Sequence, residues 1–348
     1  MTLQIDPIIM LSRRSVTQKL WEHFDGIEEI QFSYEFPNAP FFEAYVQHSD
    51  DSNYVVVNYG TITQIHELWD KLYSKNILYN IRGNKISVPC DIGISTTDAL
   101  VSRSLTWLLL HEFMHIRSNH LSILGRAQLT EYNFDDDNVT ERKEPDWFHE
   151  LTDGEKALVR PCLELQADND ATEVMLGTLS EVGWDDFRID AACIFVVMAL
   201  MDRAEKSLNR KTRTYPLVAT RFFTLFSQMF QYWLFEDAEL ADRNGESFVV
   251  SERSTDTQAF KRFAKEVLAL SVNDVIMIAL HAGARDFIDD MGQGKPFFED
   301  LYEIQYADDL SKAKLGTKAA QEWRTLYPLN EKIMRLTGQR KFKSALSR

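Results

Sequence analysis

"LLLHEFMHIRSNHL", residues 108–121, decides how this chain is read. Two histidines stand four residues apart, a glutamate follows the first, leucines precede them and polar residues follow. On an α-helix, positions i and i+4 lie one turn apart on one face, so His111 and His115 can reach a single ion. Glu112 lies beside the first of them. This is the H-E-x-x-H arrangement of two zinc ligands and a general base. Zinc lowers the pKa of a bound water toward about 7, and the carboxylate takes a proton as that water attacks a carbonyl. The competing reading is an amphipathic helix with histidines on its wet face. The leucines belong to the core under either.

A catalytic zinc site takes a third protein ligand and keeps a fourth position open. Metzincins place a histidine six residues after the second one and a glycine midway; here those positions hold Leu121 and Ser118, so that pattern fails. His120 follows His115 by five residues. On a continuous helix that turns it well off the ligand face, and it reads as a surface or helix-end residue. The third ligand is therefore expected from a later helix. CLELQADNDATEVM (162–175) supplies Glu164 and Asp168, four apart on one face. Glu164 can bind the metal. Asp168 can accept a hydrogen bond from a ligating histidine, fixing its tautomer. Ala167 is small enough for close packing on the H-E-x-x-H helix. His149 is a weaker competitor for the third position, and a solvated acidic face is the alternative for 162–175.

Composition narrows the class. The chain has 348 residues, 45% hydrophobic, enough for a substantial core. A net charge of -15 argues against nucleic acid as a partner, which would require a basic face. It also offers no polybasic attraction to an anionic membrane. Cys90, Cys162 and Cys193 are far apart and odd in number, so neither a disulfide framework nor a thiolate metal site is expected, and a reducing cytoplasm fits. MTLQIDPIIMLSRRS (1–15) lacks the features of a signal peptide. The longest apolar run, AACIFVVMALM (191–201), is about half of the roughly 20 residues a bilayer requires.

Along the chain, residues 1–100 are mixed. FFEAYVQ (41–47) and NYVVVNY (53–59) flank HSDDS and predict a β-hairpin. TQIHELWDKLYS (63–74) has helical spacing, and ILYNIRGNKISVP (77–89) suggests two strands about Gly83. Helices then dominate. Ser95 to Asp98 resembles a capping box and predicts a helix to about Leu124; Thr152 to Glu155 is a second, opening a helix to about Leu179 with a break near Pro161. Further helices are expected at 185–208, 217–236, 257–270, 272–289, 297–313 and 317–336. Residues 131–146 read as an acidic loop and DRNGESFVVSERSTD (242–256) as a linker. The expected architecture is α+β and mainly helical. It comprises a catalytic domain over 1–240, with a small sheet about 40–90 and active-site helices about 97–236, and a helical C-terminal subdomain over 241–348.

His111-Glu112-x-x-His115 followed by Glu164-x-x-Ala167-Asp168 resembles a gluzincin metallopeptidase. The pattern is similar to the HtpX and CAAX prenyl endopeptidase family and to the soluble, phage-exclusion Lit-type peptidases. The resemblance implies a zincin-like core with His111, His115 and Glu164 as zinc ligands, Asp168 hydrogen-bonded to a ligating histidine, and Glu112 as general base. The membrane family often carries H-P-x-x-x-x-R near its active site. Tyr215-Pro216 and Arg221 match that spacing with tyrosine in place of histidine, which implies a role for Tyr215 or Arg221 at the oxyanion; the alternative is ordinary helix-start chemistry about Pro216. The hairpin 41–59 would by the same analogy supply an edge strand for an extended substrate. The resemblance covers about residues 95–225. It implies a protein or peptide substrate and, by the Lit comparison, a role in bacterial or phage defence. The acidic loop 131–146 lies between the two ligand helices, and if it covers the cleft the enzyme is latent and needs an activating partner. A non-catalytic metal-binding scaffold is the rival, and it would require four protein ligands.

Overall fold

The computed structural model describes residues 5–24, 26–49, 52–75, 77–90, 93–124, 128–130, 145–177, 183–207, 215–243, 258–284, 286–292, 294–306 and 312–338. The expected linker 242–256 lies outside these apart from its first two residues, and so does the acidic loop 131–146 apart from Pro145 and Asp146.

The organising element is α3 (Thr96–Arg117), which carries the H-E-x-x-H residues. Ser95 caps it: its Oγ accepts the N–H of Asp98 at 3.1 Å and donates to the Asp98 carboxylate at 2.6 Å. From Ala99 to His115 the helix is buried all round except at Arg103, the pattern of a central helix rather than a surface one. Around it pack α1 (Ile5–His23), α2 (Tyr59–Tyr73), α5 (Asp153–Leu176) and α6 (Trp184–Ser207). Polar anchors set the contacts. Ser12 of α1 bonds Ser102, Trp69 Nε1 of α2 donates to Ser104, and Trp107 Nε1 donates to Thr172 of α5. The sequence pattern of residues 1–100 did not disclose α1, whose buried Ile8, Ser12, Val16 and Leu20 form one i, i+4 stripe.

The hairpin exists. β2 (Ala44–Ser49) and β3 (Ser52–Val57) pair antiparallel. Two further strands enlarge the sheet: β1 (Phe32–Glu35) runs parallel to β3, and β4 (Gln128–Thr130) runs antiparallel to β2, giving the order β1-β3-β2-β4. Both hairpin strands are therefore interior, and the edge expected of the hairpin is taken by β4. Residues 77–89 do not form two strands; one bridge joins Tyr79 to Lys85, and Asn80 Oδ1 accepts from the N–H groups of Arg82 and Asn84 to make a side-chain turn.

α5 opens on a reciprocal capping box: Thr152 Oγ1 accepts from Glu155 N, and the Glu155 carboxylate accepts from Thr152 N. The expected break at Pro161 does not occur. Proline removes one ladder bond, and burial of residues 161–168 against α3, α7 (Val218–Arg243) and α12 (Lys318–Leu336) outweighs that loss. α3 itself stops earlier than expected, at Arg117. Asn119 adopts left-handed φ 55° and ψ 34°, and a new short helix α4 (His120–Ile123) follows.

The remaining helices are α8 (Gln258–Phe263), which leads through a π-turn at Ala264–Leu268 into α9 (Ala269–Ala282), then α10 (Asp286–Met291) and α11 (Gly294–Tyr306). The expected boundary near 271 is absent; the chain turns instead at Gly283, φ 86°. Phe222 and Phe223 of α7 pack rings against Phe195, Phe287, Phe297 and Trp323, so the helices after residue 258 share one hydrophobic core with those before it. Among the described residues, no helix is long and apolar enough to cross a membrane.

Candidate metal centre

α3 and α5 lie side by side, and their polar residues meet inside the protein. His111 is 0% exposed, Glu112 2%, His115 3% and Glu164 3%. One turn of α3 separates the histidines, and their Nε2 atoms converge to 3.2 Å. Glu164 Oε2 lies 3.3 Å from the first and 3.6 Å from the second. Four ligands at 2.0–2.1 Å from zinc in a tetrahedron stand about 3.3 Å apart. The observed triangle has edges close to those of three corners of that figure. Among the described residues the convergent donor group is these three.

Charge agrees with geometry. Three buried carboxylates, Glu112, Glu164 and Asp168, act together on His111. Burial opposes a charged His111, yet Asp168 and Glu164 raise its pKa to about 10. Burial likewise disfavours charge on Glu164, but His115 and His111 hold it well below the ordinary carboxylate range. These carboxylates favour positive charge at the triangle. Burial lowers His115, and lowers His120 further, so both favour the neutral imidazole that binds metal or accepts a hydrogen bond.

Behind the triangle stands a second set. Asp168 Oδ1 lies 3.0 Å from His111 Nδ1, ion-pair close though not aligned as a full hydrogen bond. Arg221 grips Asp168 with both donors, Nε to Oδ2 and Nη2 to Oδ1, each at 2.6 Å. Burial works against the Asp168 carboxylate, and the Arg221 guanidinium restores it below its ordinary range. Tyr215 lies with its ring 5.1 Å from the Arg221 guanidinium and is 2% exposed. Arg160 approaches the other oxygen of Glu164 at 3.9 Å. The structure thus brings together His111, Glu112, His115, Glu164, Asp168 and Arg221, with Tyr215 adjoining through Arg221. His149 sits exposed in the 3-10 turn Asp146–Glu150, outside the donor triangle.

His120 is the residue the sequence pattern misplaced. It is neither a surface residue nor a third ligand. It is fully buried, with Nδ1 2.7 Å from Nδ1 of His115 and Nε2 3.3 Å from Gln166 Oε1. The left-handed Asn119 breaks the helix and folds the chain back, which cancels the angular offset expected of a continuous helix.

Residues 90–232 match the family model Peptidase U49, the Lit-type peptidase family, less than half of the chain. No curated protein and no solved structure matches the chain. The matched segment contains every residue of the centre, and the likeness supports a peptidase whose buried His-His-Glu group can bind a metal.

Proposed function

We propose that the chain is a zinc-dependent endopeptidase, and that His111, His115 and Glu164 hold the ion. The observation that carries this is the donor triangle, with edges of 3.2, 3.3 and 3.6 Å, set beside Glu112 in a segment similar to a peptidase family. When bound, zinc would acidify water and polarise the scissile carbonyl. Glu112 takes a proton from the attacking water and delivers it to the leaving amine. Asp168 holds His111, and Arg221, with Nε and Nη2 each committed to Asp168, acts as the clamp on that carboxylate. Tyr215 is the remaining candidate for a hydrogen bond to the oxyanion. Three protein donors, with no fourth among the described residues, favour a catalytic over a structural site.

The substrate is a protein or peptide. Nearly complete burial of the centre supports latency: an extended chain reaches Glu112 only after the structure covering it opens, which an activating partner would bring about. The test is zinc per chain and peptide hydrolysis in wild type, His111→Ala, Glu164→Ala and Glu112→Gln. Near one zinc in wild type, loss in the first two, and retained zinc with hydrolysis gone in Glu112→Gln is the expected result. Wild-type turnover by Glu112→Gln refutes the general-base role. A folded wild type that takes up no added zinc refutes the function.

A further inference from the structure

The mechanism uses His115 through one nitrogen. Its Nε2 faces His111 Nε2 and Glu164 Oε2, and its Nδ1 faces away, 2.7 Å from Nδ1 of His120. Two ring nitrogens at that distance share one proton, so one donates and the other accepts. The far end of His120 decides which. Its Nε2 meets Gln166 Oε1 at 3.3 Å, and an amide oxygen only accepts. With the Gln166 amide oxygen toward it, His120 is matched by the tautomer that carries its proton on Nε2 and presents a lone pair at Nδ1. His115 must then donate from Nδ1, which leaves its Nε2 lone pair toward the donor triangle. Reversing the chain would put the proton of His115 on Nε2, pointing it at the place the ion would take.

We infer that His120 and Gln166 form a neutral positioning relay that fixes the ring and tautomer of His115 for metal binding. The inference rests on the reading of His111, His115 and Glu164 as a zinc site. It assigns His120 a task different from that of Asp168. One ligating histidine is backed by a carboxylate, itself gripped by Arg221; the other is backed by an uncharged imidazole and amide. Three features locate the relay: His120 is 0% exposed, Gln166 is 7% exposed, and the left-handed Asn119 delivers the imidazole onto His115. Neutral backing holds the ring without adding a fourth carboxylate to a pocket that already has three.

The full-length protein tests this with zinc itself as the probe. Zinc affinity by chelator competition is compared in wild type, His120→Leu, His120→Asn and Gln166→Leu. In parallel, nitrogen-15 NMR of histidine-labelled, metal-free protein reports each tautomer. His120→Leu deletes the acceptor and should weaken zinc by about 10- to 100-fold, the usual cost of losing a group that backs a ligand. His120→Asn places an amide oxygen near the position of Nδ1 and should stay within a few-fold of wild type. Gln166→Leu, which leaves the His120 ring in place, should weaken zinc by a smaller factor and cover the case in which His120→Leu does not fold. In wild type, His115 should be protonated on Nδ1 and His120 on Nε2. If wild type binds zinc but folded His120→Leu or Gln166→Leu binds it equally tightly, the relay is wrong and the zinc site stands. A His120 protonated on Nδ1 would likewise overturn the relay alone. If wild type binds no zinc, the site and the relay fall together.

Discussion

Replacing Arg221 with methionine isolates the clamp behind the metal centre. Arg221 and Asp168 are each 1% exposed and joined by two bonds of 2.6 Å. Methionine keeps much of the volume and removes the charge, leaving the Asp168 carboxylate buried with only His111 beside it. Breaking one side of a buried ion pair costs about 3–5 kcal/mol, because the remaining charge is stranded away from water. At roughly 2.1 cal/mol/K of unfolding entropy per residue, a chain of 348 residues has about 0.7 kcal/mol/K, so the loss is a fall in Tm of about 4–7 °C. Circular dichroism melts of the metal-free protein measure it. Asp168→Asn alone should cost a similar amount by stranding the guanidinium. The double variant Arg221→Met with Asp168→Asn should be milder than the sum of the singles by about 1–3 kcal/mol, since neither charge is then left alone. A single-variant loss under about 1 kcal/mol, or a double variant equal to the sum, would show that the pair is not the coupled unit its geometry describes.

Asp170 and Glu173 give a pH dependence unrelated to the metal. Burial pushes Asp170 up to about 7, and burial with Asp170 nearby pushes Glu173 up to about 8. The folded state therefore holds protons that the unfolded chain releases near pH ~4, and stability falls as pH rises from about 4 through 7–8. Asp170→Asn removes one of the two titrating groups and one cause of the shift in the other; it should lessen that slope and stabilise the protein at pH ~8 by on the order of 1–3 kcal/mol in urea unfolding, and an unchanged slope would contradict the assignment. Gly60 opens α2 with its Cα against the backbone of Pro40, and its N–H bonds Ala39 O. A Cβ there would overlap the Pro40 carbonyl, so Gly60→Ala should cost about 1–3 kcal/mol, read as a lower midpoint at unchanged m-value; full retention of stability would mean the segment 37–41 shifts freely.

Local chemistry made the central elements legible. Ser95 and Thr152 announce the two helices that build the centre, because a hydroxyl three residues before an acid satisfies orphan N–H groups whatever the tertiary surroundings. The i, i+4 spacing of His111 with His115 and of Glu164 with Asp168 places each pair on one face by helix geometry alone. What lay beyond reach depended on departures from periodicity. His120 looks like a surface residue when the helix is extended through Asn119, but a single left-handed residue buries it against His115, still outside the donor triangle. β1 alternates, but over only four residues, and β4 has three, so neither stands out from the sequence around it. α1 did carry a stripe, but Arg13 and Arg14 interrupt it in sequence while lying off it in space. The grip of Arg221 on Asp168 joins residues 53 apart, and only packing of α7 on α5 creates it.

The placement of so many charges at the middle of a helical core has a physical logic. α3 is buried on nearly every side from Ala99 to His115, so a carboxylate or imidazole in that stretch stays away from water whichever way it points. Such groups are tolerable only if each has a partner. α5 supplies them: Glu164 toward both histidines, Asp168 toward His111, Gln166 toward His120. α7 then supplies Arg221 to Asp168. Each layer satisfies the layer inside it, and the unmet demand is left at the centre, where three donor atoms face one another across 3.2 to 3.6 Å with carboxylate charge in excess. A fold organised this way concentrates its electrostatic deficit at one point, where a buried His-His-Glu group that could hold a metal ion is already ordered by the surrounding helices.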